Sequence, residues 1–134
     1  MQHLRDFETR PLPVEGDVFA ADGSLVRNLL SLQGGAMAHF ELPAGTTAKA
    51  VTHRTVDEIW FILSGRGQIW RKMADHEEIV EMETGVCLTI PQGTHFQWRS
   101  TSQEPLAVLG VNMPPWPGEG EAQIVTGIWE PTVP

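Results

Sequence analysis

Short runs of β-branched and aromatic residues recur along this chain, each cut off by a turn carrying glycine or proline, and no stretch keeps a long helical period. That punctuation points to an all-β fold. The runs cover residues 25–32, 37–42, 58–63, 67–71, 78–82, 86–90, 96–100 and 106–112. Between them stand Asp22-Gly23-Ser24, Gln33-Gly34-Gly35, Pro43-Ala44-Gly45, Ser64-Gly65-Arg66-Gly67, Thr84-Gly85 and Pro91-Gln92-Gly93, where the backbone has to reverse. Many short strands with regular turns make a sandwich or a barrel. The flanks read differently. Residues 1–16 are polar, contain Pro11 and Pro13, and form an arm lying across a sheet or a partner. Residues 113–134 open with a proline-rich stretch that suits no central strand. They read as a wrap with Trp116 as packing anchor, or as a lid over a ligand.

A chain of 134 residues fits one domain, 1–134, able to bury a core unaided. No apolar run is long enough to span a bilayer and no basic-then-apolar leader opens the chain, so the expectation is a soluble, cytoplasmic protein. Nine Lys and Arg against 17 Asp and Glu give a net charge of -8, which argues against nucleic acid and against anionic membranes as partners. Cys87 is the sole cysteine and sits in an apolar run, where it reads as a buried structural thiol. Tyrosine is absent while Trp60, Trp70, Trp98, Trp116 and Trp129 all need large surfaces or ligands to cover them.

Two stretches carry a family likeness. Gly45 is followed by five residues to Val51, then by Thr52 and His53, four residues to Glu58, and six to Gly65. Gly85, Pro91 and Gly93 follow at the spacing of a second motif, with Phe96 and Ser100 downstream. Together they resemble the paired motifs of the cupin superfamily, over residues 45–100. The resemblance implies a double-stranded β-helix, the jelly-roll barrel. It also implies a metal held at the barrel mouth by two histidines and a glutamate from the first motif and a histidine from the second. His53 and Glu58 match that set, whereas Val51 and Phe96 stand where the other two histidines belong. His95, one residue before the expected position, is the available third ligand if the turn before it slips.

Strand parity bears on that question, because adjacent side chains point to opposite faces. His95, Gln97 and Arg99 share one face and Phe96 and Trp98 the other, so His95 turns inward only if the polar face lines the pocket. Glu58, Trp60 and Ile62 share a face, and Ile59, Phe61 and Leu63 share its opposite. A strand apolar on both sides suggests a second layer or subunit, hence a homodimer. Glu58 among such neighbours needs a metal, an arginine or a shared proton. Arg54, Arg66, Arg71 and Arg99, with Lys49 and Lys72, either clamp a carboxylate or phosphate or are neutralised by Asp57, Asp75, Glu77 and Glu78. His3, His39 and His76 read as structural or solvated.

Three functional readings follow. In the first, one divalent transition metal (Fe, Mn, Zn or Ni) is held by His53, Glu58 and His95 in an oxygenase or isomerase. In the second, His53 and Glu58 do acid and base work without metal, in an isomerase- or cyclase-type reaction. In the third, the barrel only binds a small molecule, a sugar or organic acid, against Trp60, Trp70, Gln97, Trp98 and Arg99. The weight falls on a small-molecule-binding cupin with degraded metal ligation.

Overall fold

The computed structural model describes residues 6–134; His3 and the first five residues of the expected arm lie outside it. Eleven strands and no helix occupy the described residues: β1 (Val18–Phe19), β2 (Leu25–Leu32), β3 (Gly35–Leu42), β4 (Val51–His53), β5 (Asp57–Ser64), β6 (Arg66–Met73), β7 (His76–Glu83), β8 (Cys87–Ile90), β9 (His95–Ser100), β10 (Leu106–Met113) and β11 (Ala122–Ile124). No helix among them is long and apolar enough to cross a membrane. The eight runs read from sequence are β2, β3, β5 to β10. The three missed strands, β1, β4 and β11, are two or three residues long, too short for a period to show.

The strands form two sheets, ordered β1-β2-β3-β10-β5-β8 and β11-β4-β9-β6-β7, with antiparallel pairing throughout. This is the expected double-stranded β-helix. The inward faces meet in one core: Leu42, Trp60, Ile62, Leu88, Ile90, Leu106 and Val108 from the first sheet pack on Val51, Ile69, Met82, Phe96 and Trp98 from the second. Alternation sets the faces. Along β5 the side chains of Glu58, Trp60 and Ile62 are buried, and those of Ile59, Phe61 and Leu63 are exposed on the outer surface.

The same rule corrects the reading of Cys87. On β8, Leu88 and Ile90 point inward, so Cys87 and Thr89 point outward, and the thiol is exposed rather than buried. An apolar run two faces deep hides which face a single residue takes.

The flanking segments are fastened to the sheets. Arg10 donates to the carbonyls of Asn28 and Leu29, and Val14 accepts from Arg27, which lays residues 10–14 along β2. At the other end, the outward-pointing Gln97 is buried beneath residues 127–129. Its amide donates to the carbonyls of Ala48 and Trp129, and its oxygen accepts from the N–H groups of Ile128 and Trp129. A Cβ at Gly127 would lie 2.2 Å from that oxygen, so only glycine fits there. Thr47 and Thr132 close the same seam with two further bonds.

Candidate functional site

The inward faces diverge at one end of the barrel and leave a cavity of about 490 Å³. β5 places Glu58 and Trp60 on its wall, β4 places Val51 and His53, β9 places Phe96, and β10 places Asn112. The turn before β2 adds Asp22 and Ser24, β3 adds Phe40, and the proline-rich segment closes one side with Trp116 and Glu119. Gly110, inward on β10, makes room for the aromatic wall, since a Cβ there would come 2.5 Å from the Phe40 ring. Phe40 lies 5.7 Å from Trp60 between ring centroids, and Trp60 packs edge-on against Phe96 and Trp98.

Glu58 and His53 share the buried polar end. Glu58 is 2% exposed and His53 6%. His53 Nδ1 lies 4.0 Å from Glu58 Oε1, too far for a hydrogen bond, and has no other partner. Glu58 accepts from the Trp60 indole N–H at 2.9 Å and from the Asn112 side chain. Burial pushes its pKa up to about 7 against those two donors, and the carboxylates of Asp22 and Glu121 add to the rise. Burial lowers the pKa of His53, with Asp22 and Glu121 acting the other way. At neutral pH Glu58 is therefore divided between its carboxyl and carboxylate forms, beside an imidazole biased toward its neutral form.

Two acidic residues frame the pair without touching it. Asp22 accepts from the N–H and hydroxyl of Ser24 with one oxygen and from the Trp98 indole with the other. Glu121 holds the proline-rich segment to the loop after β4. Burial works to raise its pKa, but the Thr55 hydroxyl and the N–H groups of Thr55 and Val56 donate to the carboxylate and keep it below its usual value. Trp116 then lies edge-on to His53, 5.0 Å between centroids.

Several residues proposed from sequence are placed elsewhere. His95 is exposed on the outer face of β9, opposite Thr52 and Lys72 in register, so His53, Glu58 and His95 do not converge. Gln97 and Arg99 share that outer face. Gln97 fastens the C-terminal segment, and Arg99 donates to Gln68 while stacking 4.1 Å above the Trp129 ring. Trp70, paired with Gln97 across the sheet, gives its indole N–H to Glu77. Trp98 points inward but is sealed in the core behind Asp22, so Trp60 alone of the five supposed binding residues lines the cavity. Arg66 pairs with Glu83 and Arg71 with Glu78, and no Lys or Arg lines the cavity among the described residues. The polar outer face of β9 is covered by residues 127–129, which strand parity could not foresee.

Asp22, Phe40, Asn112 and Glu119 were missed. Asn112 had a signal: Leu106, Val108, Gly110 and Asn112 share a face, and it is the one polar member. Asp22 looked like turn punctuation, and nothing local showed that its second oxygen reaches Trp98, 76 residues on.

A cupin domain model matches residues 38–112 of the chain. An uncharacterized protein of Methanocaldococcus jannaschii is 31% identical over 103 residues, covering 73% of this chain and 79% of that one. The chain belongs to the cupin family. Solved cupin-like structures agree on the fold. A Klebsiella pneumoniae protein with a double-stranded β-helix domain superimposes with a TM-score of 0.66 at 14% identity, over 90% of this cupin and all of that chain. Bacillus subtilis oxalate decarboxylase gives 0.66 at 17% identity, over 75% of this cupin but only 28% of the decarboxylase.

Family membership makes a metal the first thing to test against the cavity, and the donor set does not fit one. Val51 and Phe96, at the positions where the family likeness calls for histidine, are register partners and both line the cavity as apolar walls. No group of three His, Cys, Asp or Glu able to hold a metal occurs among the described residues. His53 and Glu58 alone fall short of the three protein ligands of a catalytic site. Glu58 is instead satisfied by two neutral donors, as suits a carboxyl with no cation beside it.

Proposed function

We propose that this cupin binds a small organic molecule in direct contact with the protein, and that Glu58 and His53 are the acid and base at the polar end of its cavity. The observation that carries the reading is the meeting of two buried, oppositely perturbed groups, 4.0 Å apart, on the wall of a cavity whose other two ligand positions are Val51 and Phe96. Pairs of titratable groups driven apart by their surroundings mark acid and base roles. A protonated Glu58 donates to an oxygen or nitrogen of the bound molecule. Neutral His53 is the proton acceptor of the pair, through the ring edge that faces the cavity, since its Nδ1 is sealed from solvent. The two together support an isomerase-type proton shift, in which one C–H bond of the ligand breaks toward His53 as Glu58 protonates a heteroatom. Phe40, Trp60, Phe96 and Trp116 supply the apolar wall that keeps water from the exchange.

The oxalate named for the decarboxylase does not suit this cavity, since a dianion would meet Asp22 and Glu119 and, among the described residues, no lining Lys or Arg. The reading is tested by a ligand-observed NMR screen of small neutral and charged organic molecules in the presence of a chelator. Wild type, His53→Ala and Glu58→Gln are compared, and hits are then incubated in heavy water. Binding that persists with chelator, is lost in both variants and is accompanied by deuterium uptake at a ligand carbon is the expected result. Binding that needs an added divalent ion, or survives both substitutions, would overturn it.

A further inference from the structure

We infer that the ligand is a neutral, largely apolar ketone, an aromatic or alicyclic body with one carbonyl, which lies carbonyl inward against Glu58 and His53 with its body toward the mouth. The inference rests on the acid and base reading of that pair and names the class of molecule on which the pair acts.

Polar partners are offered at one point only. Asp22 is buried and both its oxygens already accept, one from Ser24 and the other from the Trp98 indole. Ser24 is buried and gives its hydroxyl hydrogen to Asp22, and the Trp60 N–H and the Asn112 side chain are given to Glu58. Asn28 and Glu119 are exposed, away from the buried end. That leaves the Glu58 carboxyl and the cavity-facing edge of the His53 ring, which suit a molecule with a single polar group. A sugar, with a hydroxyl on nearly every carbon, would bury several of them without a partner, each at the desolvation cost of an unmade hydrogen bond. A carboxylate or phosphate would find no lining Lys or Arg among the described residues.

The rest of the wall is apolar from floor to mouth. Val51, Trp60 and Phe96 are buried beside the polar pair, and Phe40 is half-buried against Trp60. Trp116 touches His53 edge-on and is 39% exposed, so it joins the buried end to the mouth. Val18 and Phe19, on the edge strand β1, line the same cavity, and Phe19 is 75% exposed. Large apolar side chains left in water around a cavity mark a surface that something apolar covers. A polar end that is buried and an apolar mouth that is exposed set the direction of the ligand, carbonyl first and body outward. The cavity of about 490 Å³ lies within the range of pockets that take drug-sized ligands.

A ketone also supplies the bond that the pair can break. A C–H beside a carbonyl is far more acidic than one in a plain hydrocarbon, because the carbonyl oxygen takes up the charge left behind. With that oxygen on Glu58, the C–H bond breaks, its proton passes to His53, and its electron pair forms the C=C bond of an enol while the carbonyl π pair takes the Glu58 proton. The imidazolium and carboxylate so formed are reset when His53 returns a proton to carbon and the enol O–H proton goes back to Glu58. No co-reactant is consumed, and a proton drawn from solvent in between enters the ligand at carbon.

The test titrates the full chain by NMR, with a chelator present, against 2-tetralone, its carboxylate counterpart tetralin-2-carboxylate, cyclohexanone and glucose. 2-Tetralone should bind at least about tenfold more tightly than cyclohexanone, which has the carbonyl without the second ring, and than the carboxylate, which has the rings without the ketone. In heavy water the protons beside its carbonyl should exchange at least about tenfold faster with the protein than without it. Phe19→Ser, an exposed substitution, should weaken 2-tetralone at least about threefold and leave cyclohexanone within about twofold. Glucose or the carboxylate binding as tightly as 2-tetralone, 2-tetralone binding without faster exchange, or Phe19→Ser binding it as wild type does would each overturn the inference. The small-molecule reading would still stand if any of the four compounds binds wild type and is lost in His53→Ala and Glu58→Gln. If none binds, both fall.

Discussion

Replacing Glu58 with glutamine should make the protein more resistant to unfolding at high pH and hardly change it at low pH. The folded chain keeps the Glu58 proton until pH about 7, whereas the unfolded chain releases it near the model value of 4.5. Between those values the folded state binds the extra proton. Stability from this group is therefore fully present below pH 4.5 and is lost as pH rises through about 7. The span between the two values corresponds to about 3 kcal/mol, of which about 1 kcal/mol is lost by pH 5 and nearly all by pH 8. Glutamine keeps the size of the side chain and an oxygen for the Trp60 N–H but cannot ionise. His53 works in the opposite sense: its lowered pKa removes stability as pH falls through the ordinary histidine range. It is present in both proteins, so its own titration enters both curves and drops out of the difference apart from its coupling to Glu58, 4.0 Å away. Urea unfolding followed by tryptophan fluorescence at pH 5, 6, 7 and 8 should show the variant gaining about 2 kcal/mol on wild type across the series. A difference that stays constant from pH 5 to pH 8 would refute the reasoning, because it would mean that Glu58 is ionised in the folded protein.

Two more predictions concern residues outside that pair. Gln97→Ala removes four hydrogen bonds that fasten residues 128–129 to β9 and the β3–β4 connection. It should cost about 2–4 kcal/mol and speed amide exchange at Ile128 and Trp129, with ligand affinity changed less than about threefold. A loss of affinity without loss of stability would instead make the C-terminal segment part of the binding machinery. The double substitution of Val51→His and Phe96→His puts two imidazoles on the cavity wall beside His53 and Glu58. Plasma mass spectrometry after incubation with zinc or manganese should find close to one metal per chain in the variant and next to none in wild type. A variant that stays metal-free would show that the positions no longer converge.

His53 and Glu58 were legible from sequence because their spacing is kept within one short stretch of β4, a turn and β5, and neighbours along the chain carried all the information needed. The barrel was legible for the same reason, since alternation along β5, β8 and β9 is a local property. What escaped was set by contacts distant in the chain. Gln97 and Arg99 look like a recognition surface until residues 127–129 are laid over them, and Trp70 looks like a platform until Glu77 takes its N–H. Trp116, at the start of the segment read as wrap or lid, lines the cavity beside His53, while Trp129 near its end packs on Arg99. The proline-rich stretch is thus part of the wall, and the residues after it are part of the outer layer.

The seam between β9 and the C-terminal segment also orders events during synthesis. Gln97 waits for Ile128 and Trp129, which lie 31 and 32 residues further along the chain. At about 5–20 residues per second, the ribosome needs roughly 2–6 seconds to supply them, and longer to release them from its tunnel. Throughout that interval a nascent chain holding β4, β6 and β9 carries the Gln97 amide on its outer face without the Ile128 and Trp129 partners it has in the folded barrel.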